Sequence, residues 1–178
     1  MPSTVARIAL FAALIAALGL VPQITLPFAG GVPITAQTLG IMLAGLILGP
    51  WRGAAAVLVF LAVVAMGAPL LAGGRGGLGV FVGPTVGFLV GFPIAAIVIG
   101  LIWRAMPEGR PMLAGVTASV VGGILTLYAF GIPGLALVTD MPLTKAAMVM
   151  AAFIPGDILK ALIAAAVNRE VRRARVLA

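Results

Sequence analysis

The sequence predicts an all-α integral membrane protein, one transmembrane domain over residues 1–178 with six membrane-spanning helices and both termini in the cytoplasm. Three observations carry that prediction. The first is composition: 63% of residues are hydrophobic and 8% charged, with mean hydropathy +1.29, whereas a soluble domain carries about 25% charged residues. So little polar material cannot cover a water-facing surface. The second is that the apolar residues fall into six stretches, most of them near the roughly 20 residues a helix needs to cross a bilayer. The third is the placement of Lys and Arg, almost all on one side of those stretches.

The elements follow in order. Thr4–Val21 has only Arg7 before its apolar run and no small-residue cleavage site before Pro22, so it reads as a retained helix rather than a signal peptide. Thr35–Leu48 is short for a span, and Gly53–Leu71 is interrupted by Gly67 and Pro69. Thr85–Trp103, Pro111–Phe130 and Thr144–Val167 complete the set. Helices are expected because backbone in lipid must satisfy its own hydrogen bonds, and the alternation of a β-barrel is absent.

Orientation comes from charge. With a cytoplasmic N-terminus, Arg7, Arg52, Arg104, Arg110, Arg169, Arg172, Arg173 and Arg175 lie inside, and only Arg75 and Lys145 lie outside. Trp51 and Trp103 precede two of the inside arginines and suit the interfacial aromatic belt. The inside connections, Gly49–Arg52 and Arg104–Arg110, are short. Those outside, Pro22–Ile34, Gly67–Pro84 and Gly131–Leu143, are long and rich in Gly and Pro. Long connections commonly form lids or binding surfaces. Short or Gly/Pro-broken spans point to a transporter's binding site.

Several chemistries are excluded. There is no Cys and no His, which removes thiolate nucleophiles, cysteine metal sites and imidazole bases. The net charge of +7 sits at helix ends, where topology accounts for it, and implies no nucleic-acid partner. Gly74–Gly79 fits G-x-G-x-x-G by letter, but a connection between two membrane helices cannot supply the strand–turn–helix unit that fingerprint requires. No G-x-x-x-x-G-K-[ST] occurs, so the chain has no P-loop for ATP.

Asp157 and Lys160 are the most informative residues. They lie three apart on one helix face, midway along the last span, just after Pro155-Gly156. Intramembrane charge is costly and marks a functional site unless it serves only as an internal ion pair. Arg75 is the only charge of the glycine loop, which is either a flexible connector or backbone that folds closely over a ligand. Ala9, Ala13 and Ala17, with Ala12 and Ala16 beside them, form small-residue ridges that let another helix approach closely. Gly115, Ser119 and Gly123 do so in the fifth segment, Gly87 and Gly91 in the fourth. Each ridge suits internal packing or a partner surface.

Three stretches together resemble a known family. Pro33-Ile34-Thr35-Ala36-Gln37-Thr38-Leu39-Gly40, with Ala44-Gly45-Leu46 and Leu48-Gly49-Pro50 after it, resembles the second-helix signature of the BioY family. Ala72–Gly79 followed by Gly83-Pro84-Thr85-Val86-Gly87-Phe88-Leu89-Val90-Gly91-Phe92 resembles its glycine-rich loop and the run after it. Pro155-Gly156-Asp157-Ile158-Leu159-Lys160 matches its P-G-D-x-x-K motif. Departures are small: the family often has Leu at Ala36, Gly at Val86 and Tyr at Phe88. Phe88 therefore offers stacking but no hydroxyl.

The resemblance implies an S-component-like bundle of an energy-coupling-factor (ECF) transporter in the bacterial inner membrane, multi-pass, surrounded by the lipid bilayer. Its ligand would be biotin, bound near the outer leaflet under the first and third connections, with no cofactor and no metal. The expected ligand residues are Asp157, Lys160, Thr35, Gln37, Arg75, Thr85, Gly87 and Phe88. Asp157 can accept a ureido N–H, Lys160 can donate to a carbonyl or carboxylate, and Thr35, Gln37 and Thr85 open helices where an anion is favoured. The partners would be a membrane coupling protein and two ATPase subunits, with Ala9, Ala13 and Ala17 as the contact ridge. An S component for another small vitamin, or a biotin transporter working alone, keeps the same architecture. An enzyme does not fit: the base of an intramembrane serine protease is missing, and Asp140 lies in a connection rather than opposite Asp157.

Overall fold

The computed structural model describes residues 3–25, 32–107 and 109–177. Residues 26–31 of the first long connection and the side chain of Arg175 lie outside the described residues. The helices are α1 (Thr4–Gly19), α2 (Gln37–Leu48), α3 (Pro50–Ala65), α4 (Val86–Ala105), α5 (Pro111–Thr139), α6 (Leu143–Ala151) and α7 (Ile154–Leu177). Two short strands, β1 (Ile24–Thr25) and β2 (Pro33–Ile34), pair antiparallel before α2. Leu78–Val82 forms one short 3₁₀ helix.

Local chemistry explains the boundaries. Ser3 caps α1, its hydroxyl accepting from the Ala6 amide at 3.2 Å. Gly49 alone separates α2 from α3. Its φ of +82° is a conformation that side-chain-bearing residues resist, and Pro50 then starts α3 where its missing N–H costs nothing. α4 packs on α2, α3 and α5, and Phe60, Ile15, Ile41, Met42 and α4's own Ile99 are fully buried in the bundle.

Two expectations need correction. Gly131–Leu143 is not a long connection: α5 continues through Pro133 to Thr139, leaving Asp140–Pro142 as the turn. The glycines there serve close packing. A Cβ on Gly134 would lie 2.7 Å from the Gly87 Cα, and one on Gly131 would enter the Phe88 ring. The last segment is also not one straight helix. α6 and α7 meet at 55°, and the break at Ala152–Phe153 comes before Pro155, which fits easily into the first turn of α7.

The spans are unequal. α4 and α5 are each long and apolar enough to cross a membrane, and α6 with α7 qualifies as a bent pair. α1, α2 and α3 are apolar but run 16, 12 and 16 residues, about 24, 18 and 24 Å at 1.5 Å per residue. A hydrocarbon core is about 30 Å thick. Chain 66–85 folds back over the start of α2, with Leu71 and Ala72 buried and Leu70 and Ala72 bonded to Gln37. Irregular backbone at membrane depth is tolerated when protein covers it. Inside α5, Val121–Thr126 winds as a π-helix, and the Thr126 hydroxyl donates to the Val121 carbonyl at 2.9 Å. Such turns are rare, and this one lies just before Tyr128.

Candidate ligand-binding site

A cavity of about 610 Å³, counting its open mouth, lies at the end of the bundle that carries the long connections. Its walls come from the start of α2, the start of α4, the middle of α5, the α6–α7 break and the segment at Leu71–Arg75. Most of the lining is apolar: Phe88, Phe92, Phe153, Leu89, Leu127 and Met150 surround a small polar floor.

That floor is built on the first turn of α7. The 55° break turns the helix N-terminus into the cavity, where its dipole favours the negative charge of Asp157. Asp157 Oδ1 pairs with Lys160 Nζ at 2.8 Å, and Oδ2 accepts from the Tyr128 hydroxyl at 2.7 Å. Lys160 also donates to Thr38 Oγ1 at 3.1 Å. The network thus ties α7 to both α5 and α2. It is incomplete: a carboxylate can accept about four hydrogen bonds and an ammonium can donate three, so each keeps capacity for a ligand. Thr85, buried at the head of α4, has no hydrogen-bond partner for its hydroxyl among the described residues. An unpaired buried polar atom in a cavity wall calls for a partner from within the cavity.

The other expected residues divide. Thr35, Arg75 and Phe88 line the cavity with Asp157, Lys160 and Thr85. The Thr35 hydroxyl oxygen accepts from the Gln37 amide at 3.3 Å, which steadies the first turn of α2. Arg75 Nε donates to the Ala72 carbonyl at 3.2 Å, and partial burial draws its pKa below the ordinary value by desolvation. Two stand apart. Gly87 does not line the cavity: a Cβ there would fall on the Phe130 carbonyl, so its role is the α4–α5 crossing. Gln37 lines the cavity, and its carboxamide makes three hydrogen bonds to backbone. Nε2 donates to the Ile15 carbonyl at 3.3 Å and the Leu70 carbonyl at 3.0 Å, while Oε1 accepts from the Ala72 amide at 3.1 Å.

The small-residue ridges also separate. Ala9, Ala13 and Ala17 are exposed along α1, while Ala12 and Ile15 face the core. Gly115 instead meets Ala165 of α7, where a Cβ would lie 2.8 Å from that side chain, so this ridge is internal packing. Tyr128, Thr38, Phe92 and Phe153 are the site residues that sequence reasoning does not single out. A signal exists for the first: Tyr128 is the only tyrosine, and a phenol within an apolar span needs a hydrogen-bond partner.

Comparison with known proteins gives a consistent result. The chain is 50% identical over 184 residues to the biotin transporter BioY of Rhodobacter capsulatus, covering 98% of this chain and 96% of the relative. It is 52% identical over 168 residues to the biotin transporter BioY of Rhizobium etli, covering 92% and 89%. A crystal structure of the S-component for biotin from an ECF-type ABC transporter superposes with a TM-score of 0.89 at 30% identity, covering 96% of this chain and 90% of that one. The sequence pattern of the BioY family matches residues 2–176, and the chain belongs to that family.

Proposed function

We propose that this protein captures biotin from outside the cell and delivers it inward as the substrate-binding S component of an ECF-type transporter in the cytoplasmic membrane. The observation that carries the reading is the unfinished network of Asp157, Lys160, Tyr128 and Thr38 at the base of an apolar cavity. Biotin has an apolar bicycle, a ureido group with two N–H donors and one carbonyl acceptor, and a carboxylate on a flexible chain. Asp157 suits a ureido N–H. Lys160, Thr85 and Arg75 offer donors to the carbonyl and the carboxylate. Filling these positions removes the cost of leaving buried polar groups unpaired. The biotin transporters among its relatives support the choice of ligand.

Six membrane crossings with both termini inside follow from the Lys and Arg distribution, so the cavity opens outward. With no P-loop in the sequence, energy comes from separate subunits: a membrane coupling protein and two ATPases. The exposed Ala9–Ala13–Ala17 ridge is the surface offered to the coupling protein.

Calorimetry on the detergent-purified chain tests the ligand. Tight binding of biotin without ATP is expected, and affinity no greater than for thiamine overturns the reading. Ala13→Trp tests the ridge: it should block assembly with the coupling protein and leave biotin affinity intact. Loss of both together would make the ridge internal packing.

A further inference from the structure

We propose that Gln37 is the latch of the cavity's cover, a positioning residue that acts through the cover and sets how fast ligand escapes. The proposal rests on the cavity being the ligand site. The cover is the segment Leu70–Arg75, which brings Leu71 and Arg75 to the cavity wall.

Within itself the cover is well tied. Leu71 and Arg75 exchange backbone hydrogen bonds at 3.0 and 3.2 Å, and Arg75 Nε holds the Ala72 carbonyl. None of these bonds fastens it to the bundle. Among the described residues, the hydrogen bonds from residues 70–75 to another element all go to Gln37. Its Nε2 holds the Leu70 carbonyl and its Oε1 holds the Ala72 amide, while the second Nε2 hydrogen reaches Ile15 on α1. Two donors and one acceptor on a single head are what a carboxamide supplies; a carboxylate cannot donate and a thioether can do neither. At 2% exposure no water competes for these bonds.

Gly19 completes the device. A Cβ on Gly19 would fall on the Leu70 carbonyl and lie 2.7 Å from Gln37 Nε2. The cover can therefore seat only because the last turn of α1 leaves that space open. Closure thus depends on where α1 stands, and the bonded Ile15 lies between Ala13 and Ala17 of the exposed ridge.

The test uses the full chain in detergent, as wild type, Gln37→Met and Gly19→Ala. Gln37→Met removes every latch bond at similar length; Gly19→Ala keeps the carboxamide and displaces the cover. Hydrogen exchange is first measured without ligand. Both variants should speed exchange at Ala72 and its neighbours about tenfold or more, leaving Met42–Leu46 in α2 unchanged. Labelled-biotin chase should then show dissociation faster by roughly tenfold, with association changed less than about twofold. Unchanged exchange over residues 70–75, or protection lost evenly along the chain, overturns the latch. So does faster exchange with unaltered dissociation. If one variant fails to fold, the other decides. If the wild type binds no biotin, the ligand reading fails, while the exchange arm still judges whether Gln37 holds the cover.

Discussion

Glycine serves different needs in two regions of this bundle, the helix crossings near Gly49 and the connection between α3 and α4. Around Gly49 and Arg104, glycines are where backbones touch: a Cβ on Gly53 would lie 2.8 Å from the Ala44 carbonyl, and one on Gly100 would fall on the Pro50 backbone. At the cavity end, a Cβ on Gly67, Gly74, Gly77 or Gly79 would meet nothing within 4 Å. Gly67, Gly74 and Gly77 instead take positive φ, which ordinary side chains resist. The end around Gly49 is closed by contact, whereas these four glycines of the connection stand in open space. The cavity and its unfinished polar network lie together at the end that carries the connection between α3 and α4.

Three substitutions can break or sharpen that contrast. The largest effect is expected from Gly100→Ala, because the new methyl meets backbone that cannot rotate away. A loss of about 3 kcal/mol or more is expected, at or above the top of the range for overpacking, read as a large fall in the melting temperature of the purified protein. Tolerance of this change would mean the closed end is looser than its contacts imply. Asp157→Asn comes next: it keeps the shape of the polar floor and removes the charge facing Lys160. A charge-assisted hydrogen bond contributes roughly 1.5–3 kcal/mol, so biotin affinity should fall about one to two orders of magnitude. Melting without ligand must be measured beside it. Undiminished binding refutes the ligand role, whereas failure to fold would make the ion pair a structural fastener. The smallest effect is expected at Gly79→Ala, in open space and without a positive φ. Stability should stay within about 0.5 kcal/mol, and a larger fall would show that the connection packs against something at that point.

Much of this architecture is legible in one dimension, because hydropathy and charge are local properties. Apolar runs and basic residues mark the helices and the end where charge collects, regardless of how the helices meet. The Asp157–Lys160 pair is legible for the same reason: a spacing of three on a helix is short-range, and charge within an apolar run stands out. Gly and Pro mislead in the same reading. Around Gly131 to Gly134 they accompany a helix crossing, while around Gly67 to Gly79 they do mark a connection. A glycine missing a side chain looks the same in sequence whether a neighbour or a turn requires it.

What the sequence by itself determined is the class of protein, most of its helical segments, the charge asymmetry between its ends and the one ion pair within an apolar span. Only the tertiary structure decided how those parts share work. Tyr128 meets Asp157 across 29 positions and Lys160 meets Thr38 across 122. Gln37 meets the backbone of Ile15, Leu70 and Ala72 across 22, 33 and 35 positions. A side chain's chemistry is written in its own letter, but whether that chemistry is spent or free depends on which distant backbone group folding brings within about 3 Å.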